Sequence, residues 1–278
     1  MARRARLDAE LVRRGLARSR QEAADAIAAG RVLVGGSVAT KAATQVDPAV
    51  AVVLADADHD PRYASRGALK LAGALDALGA DGPAVEGRRA LDAGASTGGF
   101  TDVLLRRGAA HVVAVDVGYG QLAWTLQQDP RVTVRDRTNV RALTAQDVGE
   151  PPQLVVADLS FISLTLVLPA LVAVAAPDAD LFLMVKPQFE VGKDRLGSGG
   201  VVRDPGLRAE AVRTVAGVAA ELGLATRAVV PSPLPGPSGN VEYFVWLRAG
   251  AADPQHDVEA LVARAVATGP TGREKMTT

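Results

Sequence analysis

The sequence contains no cysteine, which excludes a disulfide framework, thiolate-bound metal and cysteine nucleophiles. Histidine is nearly absent: His59, His111 and His256 are scattered and leave no metal cluster. A membrane span is also missing. The longest strongly apolar run, Leu164 to Pro177, falls short of the roughly 18–20 residues a span needs and contains Pro169. The opening Met-Ala-Arg-Arg-Ala-Arg runs into Asp8 and Glu10 instead of an apolar segment, so it does not read as a secretory signal. There is no net charge, because 31 basic residues balance 31 acidic ones, so any nucleic-acid surface must be a local patch. These absences predict a soluble, cytoplasmic chain. Its 278 residues, 48% hydrophobic and 22% charged, suit one large or two modest folded domains. Lysine is scarce as well, limited to Lys41, Lys70, Lys186, Lys193 and Lys275. A GC-rich genome accounts for the abundance of arginine and alanine. Against that background, a lysine inside an apolar segment marks a place where arginine would not serve.

Residues 1–55 carry a pattern of their own. Leu7, Leu11 and Val12 form one helical face that stops near Gly15. Ser19-Arg20-Gln21-Glu22 has the form of a capping box, Ala23, Ala24, Ile27 and Ala28 supply an apolar stripe, and Gly30 is placed to end the helix. Arg31 to Val34, a turn at Gly35-Gly36, Ser37 to Ala39 and Ala51 to Leu54 read as a small sheet. Seven arginines against two acids give residues 1–20 a net charge of +5, a cluster able to track a phosphate backbone or simply to form a solvated helix face. Asp56 to Pro61 reads as a linker. Beyond it, helices and apolar strands alternate. Helices are expected over 67–79, 100–107, 121–128, 164–176 and 207–222, and strands over 89–92, 111–116, 131–135, 153–158, 180–186, 225–230 and 241–247. Such alternation predicts an α/β fold with a parallel sheet covered on both faces.

The first strand of this series leads into Asp92-Ala-Gly94-Ala-Ser-Thr97-Gly98-Gly99, and Asp116 ends the next strand, 22 residues after Gly94. Glycines allow a tight turn and close ligand approach at a helix N-terminus, and a carboxylate at that spacing meets ribose hydroxyls. The glycine spacing differs from the dinucleotide fingerprint, and Asp92 would repel phosphates while attracting an ammonium- or sulfonium-bearing ligand. The pattern therefore favours S-adenosylmethionine over NAD; a purely structural strand–helix turn is the bland alternative.

Asp158 and Lys186 end successive strands, where ligands of open α/β sheets sit, while Glu242 opens the last strand and Lys70 lies on the helix before the first. A ribose 2′-hydroxyl ionises far above neutral pH, so its attack on a sulfonium methyl needs a positioned base. A lysine serves as one only when burial or a neighbouring cation makes it shed its proton, and arginine does not deprotonate. With Lys186 as base, Lys70 is the neighbouring cation, and Asp158 and Glu242 hold the ammonium groups in line. Taken singly, each of these residues could equally be an edge ion pair.

The segments Asp92 to Thr101, Asp116 to Ala123, Asp158 to Ser163, Val185 to Lys193 and Pro233 to Phe244, with the basic helix pair at the N-terminus, resemble the TlyA (haemolysin A) family to about residue 248. The resemblance implies an alpha-L RNA-binding domain over 1–60, a linker over 61–66, an FtsJ-like domain over 67–268 and a flexible tail over 269–278. The implied fold is a Rossmann-like class I methyltransferase sheet, mostly parallel with the last strand antiparallel, behind a small α+β domain. The implied activity is methyl transfer from S-adenosylmethionine to cytidine 2′-hydroxyls of rRNA in small and large ribosomal subunits, without metal or membrane. Loss of such methylation in some members gives resistance to capreomycin.

The family's Lys-Asp-Lys-Glu tetrad falls on Lys70, Asp158, Lys186 and Glu242. Cofactor positions fall on Asp92, Gly94, Ala95, Ser96, Thr97, Gly98, Gly99, Asp116, Phe161 and Ser238. RNA-contacting positions of the family fall on Arg6, Arg20, Arg66, Arg137, Arg141 and Lys193, and Arg4, Arg18 and Lys41 are further RNA-binding candidates. The linker departs from the family's tryptophan-bearing pattern and reads Arg62-Tyr63-Ala64-Ser65. Two rival functions remain: a membrane-acting haemolysin, and an RNA-binding assembly factor with a silent methyltransferase fold.

Overall fold

The structure, a computed structural model, describes residues 5–28, 32–35, 37–47, 50, 52–54, 63–250 and 257–269. The expectations for Arg4, Gly30, the Asp56 to Pro61 linker, Arg62 and the tail beyond 269 fall outside these residues. The chain divides into two compact units, Met1–Arg62 and Tyr63–Thr278.

The first unit contains β1 (Ala5–Arg6), α1 (Leu7–Arg13), α2 (Arg20–Ala28), β2 (Val32–Val34), β3 (Ser37–Val38), β4 (Gln45–Val46) and β5 (Val52–Leu54). Leu7, Leu11, Ala23, Ile27, Val32 and Val46 form its core, so the apolar stripes of both helices turn inward onto the sheet of β3, β2 and β5. The antiparallel β1–β4 ladder pairs only two residues with two, too short to leave a periodicity in sequence. The capping box is half formed. Glu22 N–H donates to Ser19 Oγ, but the Glu22 carboxylate reaches past the cap residue and accepts from Arg18 N–H at 2.7 Å.

The second unit runs α3 (Gly67–Leu78), β6 (Arg89–Ala93), α4 (Gly99–Arg106), β7 (His111–Val115), α5 (Trp124–Gln127), β8 (Val132–Arg135), α6 (Ala145–Val148) and β9 (Leu154–Ala157). It continues through α7 (Leu168–Val174), β10 (Asp180–Val185), α8 (Pro187–Glu190), α9 (Pro205–Glu221), β11 (Leu224–Pro231), β12 (Tyr243–Ala249) and α10 (Val258–Thr268). The seven-stranded sheet has the order β11-β12-β10-β9-β6-β7-β8. β8, β7, β6, β9 and β10 are mutually parallel, and β12 runs antiparallel to both of its neighbours. Alternate residues of each strand enter opposite cores: Leu91, Val113, Val155 and Leu183 on one face, Ala90, Val112, Val156 and Phe182 on the other. β10 is buried at every position, as expected of a parallel strand covered on both sides.

Two helices are shorter than their patterns. The 121–128 segment is helical only from Trp124, because Ala123 N–H is drawn to Thr97 O and Leu122 packs under Gly98. The 164–176 segment splits into a 3₁₀ turn and α7, with Pro169 in the first turn of α7, where its missing N–H is harmless. Tyr63 to Ser65 dock on α4: Ala64 N–H donates to Asp102 Oδ2 at 2.8 Å, and Arg106 lies 4.7 Å over the Tyr63 ring.

At the amino end of β10 the buried Asp180 accepts from Arg88 at 2.6 Å and from the Trp246 indole at 2.8 Å. Asp180→Ala would strand the Trp246 indole and leave Arg88 only its bond to Gln153 O, so the urea midpoint of the second unit should fall by an amount equivalent to about 2–4 kcal/mol with an unchanged slope. An unchanged midpoint would mean that the cluster contributes nothing to stability.

Candidate active site

Because β12 is antiparallel, it begins at the edge where the parallel strands end. Val185 lies opposite Tyr243, so Lys186 leaves β10 where Glu242 enters β12. Asp158 follows β9 on the same edge, and α3 supplies Lys70. Lys70 Nζ donates to Glu242 Oε2 at 2.6 Å. Lys186 Nζ lies 2.6 Å from Asp158 Oδ1, an ion pair without the alignment of a hydrogen bond, and donates to Ser160 Oγ at 3.0 Å. Both lysines are buried, and Glu242 is 1% exposed. Glu242 Oε1 has no hydrogen-bond partner, and a Cβ on Gly236 would sit 2.5 Å from it, so a larger residue there would displace the carboxylate.

A cleft of about 450 Å³ opens beside this edge. Gly94, Ser96, Asp116 and Phe161 of the expected cofactor set line it. Asp92, Ala95, Thr97, Gly98 and Gly99 are not in its wall, and Ser238 is an exposed residue of the β11–β12 loop. Gly94, at φ +87°, lets the glycine turn touch the next loop; a Cβ there would fall 2.6 Å from Asp158 O. Asp116 braces the turn: one oxygen accepts Ser96 N–H at 2.8 Å, the other Gly118 N–H at 2.7 Å. Phe161 is 92% exposed and adopts φ +65°, a conformation that costs a bulky residue roughly 1–2 kcal/mol.

Sequence reasoning placed Asp92 at the cleft edge, but the structure buries it completely in β6. Thr101 Oγ1 donates to its Oδ2 at 2.6 Å, while Oδ1 has no partner. Burial pushes the Asp92 carboxyl up to about 7, the Thr101 bond opposes this, and the Asp158 and Asp116 charges add to it. Of the three carboxyl groups at neighbouring strand ends, Asp116 and Asp158 line the cleft and Asp92 lies sealed beneath it, a setting unfavourable to a pyrophosphate.

The basic positions are dispersed. In the first unit the arginines are organised around buried acids: Arg6 and Arg20 on Asp8, Arg13 and Arg14 on Glu10. The arginines hold the Glu10 carboxyl down to about 2. Arg18 pairs with Glu22 at 3.6 Å, and Lys41 is exposed. Asp8 and Glu10 are already counted in the +5, so these pairs arrange the arginines without cancelling the excess; Glu22 offsets one further charge, and Arg6, Arg13, Arg18 and Arg20 stay exposed while Arg14 is mostly covered. In the second unit Arg66, Arg137, Arg141 and Lys193 are exposed, and Arg137 lies 4.3 Å over the Tyr119 ring.

The sequence reading missed Ser160, which touches Lys186, and the cleft residues Val117, Gln121, Thr138 and Asn139. Thr138 and Asn139 follow the end of β8, so the strand-end rule applied to that strand would have found them. Among the described residues, no cluster of His, Asp and Glu could hold a metal ion, and no helix is long and apolar enough to cross a membrane.

Residues 63–249 match the FtsJ-like methyltransferase family and residues 5–52 match the S4 domain. Fold and site together define a methyltransferase of the FtsJ-like class preceded by an S4 domain. The chain is 60% identical over 272 residues to the 16S/23S rRNA (cytidine-2′-O)-methyltransferase TlyA of Mycobacterium tuberculosis, covering 97% of this chain and 100% of that one. It is 39% identical to YqxC of Bacillus subtilis, over 94% and 93% of the two chains. A solved haemolysin-named protein from Streptococcus thermophilus superposes with a TM-score of 0.72 at 35% identity, covering 95% and 96%. The chain belongs to the TlyA family.

The buried Asp92 gives a pH signature. Its folded value, about 7, lies above the unfolded value near 3.8, so the stability it contributes is complete at low pH and is lost as pH rises through about 7. Asp92→Asn should therefore gain on the wild type between pH 4 and 8 by up to the order of 4 kcal/mol, read from urea unfolding without cofactor. A pH-independent difference would show that Asp92 ionises normally in the fold.

Proposed function

We propose that this enzyme methylates the ribose 2′-hydroxyl of cytidine in rRNA of small and large ribosomal subunits, using S-adenosylmethionine, with Lys186 as general base. The acceptor comes from the M. tuberculosis relative, which is similar along nearly the whole chain. One observation carries the chemistry: both groups touching Lys186 Nζ, Asp158 and Ser160, line the cleft. Such an acceptor implies action in the cytoplasm.

Gly94, Ser96, Asp116 and Phe161 would line the cofactor, with Asp92, Ala95, Thr97, Gly98 and Gly99 shaping the turn behind them. When bound, S-adenosylmethionine supplies an electrophilic methyl on a sulfonium centre. Lys186 Nζ takes the proton of the 2′-hydroxyl. Asp158 Oδ1, 2.6 Å away, keeps Nζ aimed at the cleft. Lys70 and Glu242 form a fixed pair behind it. Ser238, on the β11–β12 loop, is assigned to the target side of the site. The exposed Arg6, Arg18, Arg20, Lys41, Arg66, Arg137, Arg141 and Lys193 would contact rRNA phosphates, giving an affinity that falls with salt.

Lys186→Ala and Lys186→Arg should each lower kcat about 10²–10⁴-fold while cofactor affinity stays within a few-fold. Calorimetry and methyl incorporation into ribosomal subunits measure the two effects. A 2′-O-methyl group blocks alkaline cleavage at its 3′ phosphate, so modified positions should appear as gaps in the alkaline ladder. An active Lys186→Arg enzyme would refute the lysine base, and cleavage at the modified nucleotide would show methylation of a base instead.

A further inference from the structure

The segment following Lys186 is fastened to the segment following Asp158 at three successive points. Nearest the sheet, Lys186 Nζ meets Asp158 Oδ1 at 2.6 Å and Ser160 Oγ at 3.0 Å. In the middle, the Phe189 ring lies 5.3 Å from that of Phe161. At the far end, Glu190 Oε2 accepts from Ser163 Oγ at 2.5 Å, and Oε1 accepts from Leu164 N–H at 2.9 Å. The loop between these points matters to the site, because Asp158, Leu159, Ser160, Phe161 and Ile162 are consecutive residues of the cleft wall.

The loop is also under tension. Phe161 holds a left-handed backbone, at φ +65°, with its ring almost wholly in solvent. A bulky residue keeps such a conformation only where the surroundings over-determine it. Its own side chain is secured by a single ring contact, so the constraint falls on the two ends of the loop. Lys186 secures one end and Glu190 the other.

Glu190 is an unusual residue to place there. Burial pushes its carboxyl up, while the Ser163 and Leu164 bonds pull it back. Among the described residues it forms no ion pair. An unpaired, partly buried carboxylate is unfavourable in itself, so its contribution must lie in the bonds it makes. Both bonds go to the loop; one of them satisfies the N–H of the residue that opens the 3₁₀ turn before α7.

We propose that Glu190 is a positioning residue that clamps the Asp158–Ser163 loop to the end of β10, pre-forming both the cofactor wall and the partners of Lys186. This rests on the methyl-transfer reading for its link to catalysis, though not for its link to cofactor binding. The chemistry asked of residue 190 is two hydrogen bonds: an amide can accept the Leu164 N–H at its oxygen and donate its NH2 to the Ser163 hydroxyl, whereas a methyl group can do neither.

The test uses the full chain carrying Glu190→Ala or Glu190→Gln. Calorimetry with S-adenosylmethionine and with S-adenosylhomocysteine reads the wall, and steady-state methylation of ribosomal subunits reads the lysine. Glu190→Ala should weaken both ligands about tenfold or more and lower kcat by a similar factor, leaving KM for the RNA acceptor unchanged. Glu190→Gln should recover both to within about threefold. Should Glu190→Ala fail to fold, Ser163→Ala, which removes one of the two bonds, should weaken the cofactor by an intermediate factor. The inference is overturned if Glu190→Ala binds both ligands like the wild type, if Glu190→Gln is as impaired as the alanine variant, or if the RNA KM rises instead. Wild-type protein that binds the cofactor but methylates no 2′-hydroxyl would defeat the functional reading alone; the affinity ratios would still judge the clamp.

Discussion

Two lysines are buried at the carboxyl edge of the sheet, and each is tolerated there because a carboxylate oxygen lies 2.6 Å from its Nζ. An unpaired ammonium in such a place would cost several kcal/mol. Removing either acid would do more than weaken a contact, because it would leave a charge that the interior cannot accommodate. The arrangement must therefore be delivered whole, from residues as far apart as Lys70 and Glu242, 172 positions in sequence. Much of the second unit can be understood as the means of delivery.

The reversed strand is the main device. In a wholly parallel sheet the start of β12 would lie at the opposite edge from Lys186, and Glu242 could not reach Lys70. Running β12 antiparallel between β10 and β11 brings its first residues to the edge where β9 and β10 end. Glycines then remove the obstacles that side chains would create. Gly94 lets its turn press against the carbonyl of Asp158, and Gly236 leaves room for the Glu242 carboxylate. α3 is anchored at its start, where Ser65 and Gly67 pack against Gly99, and Pro233 lies against Gly73 in its middle. The position of Lys70 is thus tied to both the glycine turn and the β11–β12 loop.

How much of this was legible in sequence depends on the range of the interaction. The parallel strands were visible because a strand buried on both faces must be continuously apolar, and 112–115, 154–157 and 181–185 are. The glycine turn and the strand-end carboxylates were visible because their spacing is local. Pairings across the fold were not. Nothing near Asp92 in sequence shows that it is sealed beneath the turn with one oxygen unpartnered. Nothing near Arg6 shows that it shares Asp8 with Arg20, twelve residues from that acid, so the net charge was legible while its arrangement was not. The shortened α5 has the same cause, since a contact with the Thr97 backbone outweighs the helical pattern around Gln121. Glu190 stood in a quoted motif without a role, because the loop it clamps lies 26 or more residues earlier.

The choice of lysine at these two positions is the most telling feature of the chain. Elsewhere the acids are paired by arginine: Asp8, Glu10, Asp102, Asp129, Asp180 and Glu210 all follow this rule. A guanidinium brings five donors in a rigid fork and keeps its proton at any pH a protein survives. Either property is a defect at this edge, where acceptors are few and the proposed base has to give up its proton. The two lysines nevertheless differ. Glu242, the partner of Lys70, is sealed from solvent, so that pair is a fixed support. The partners of Lys186 both line the cleft, and one of them, Ser160, is a neutral hydroxyl. Of the two amines only Lys186 is flanked by groups that a bound ligand would also touch, which is why the proton transfer is assigned to it and the supporting charge to Lys70.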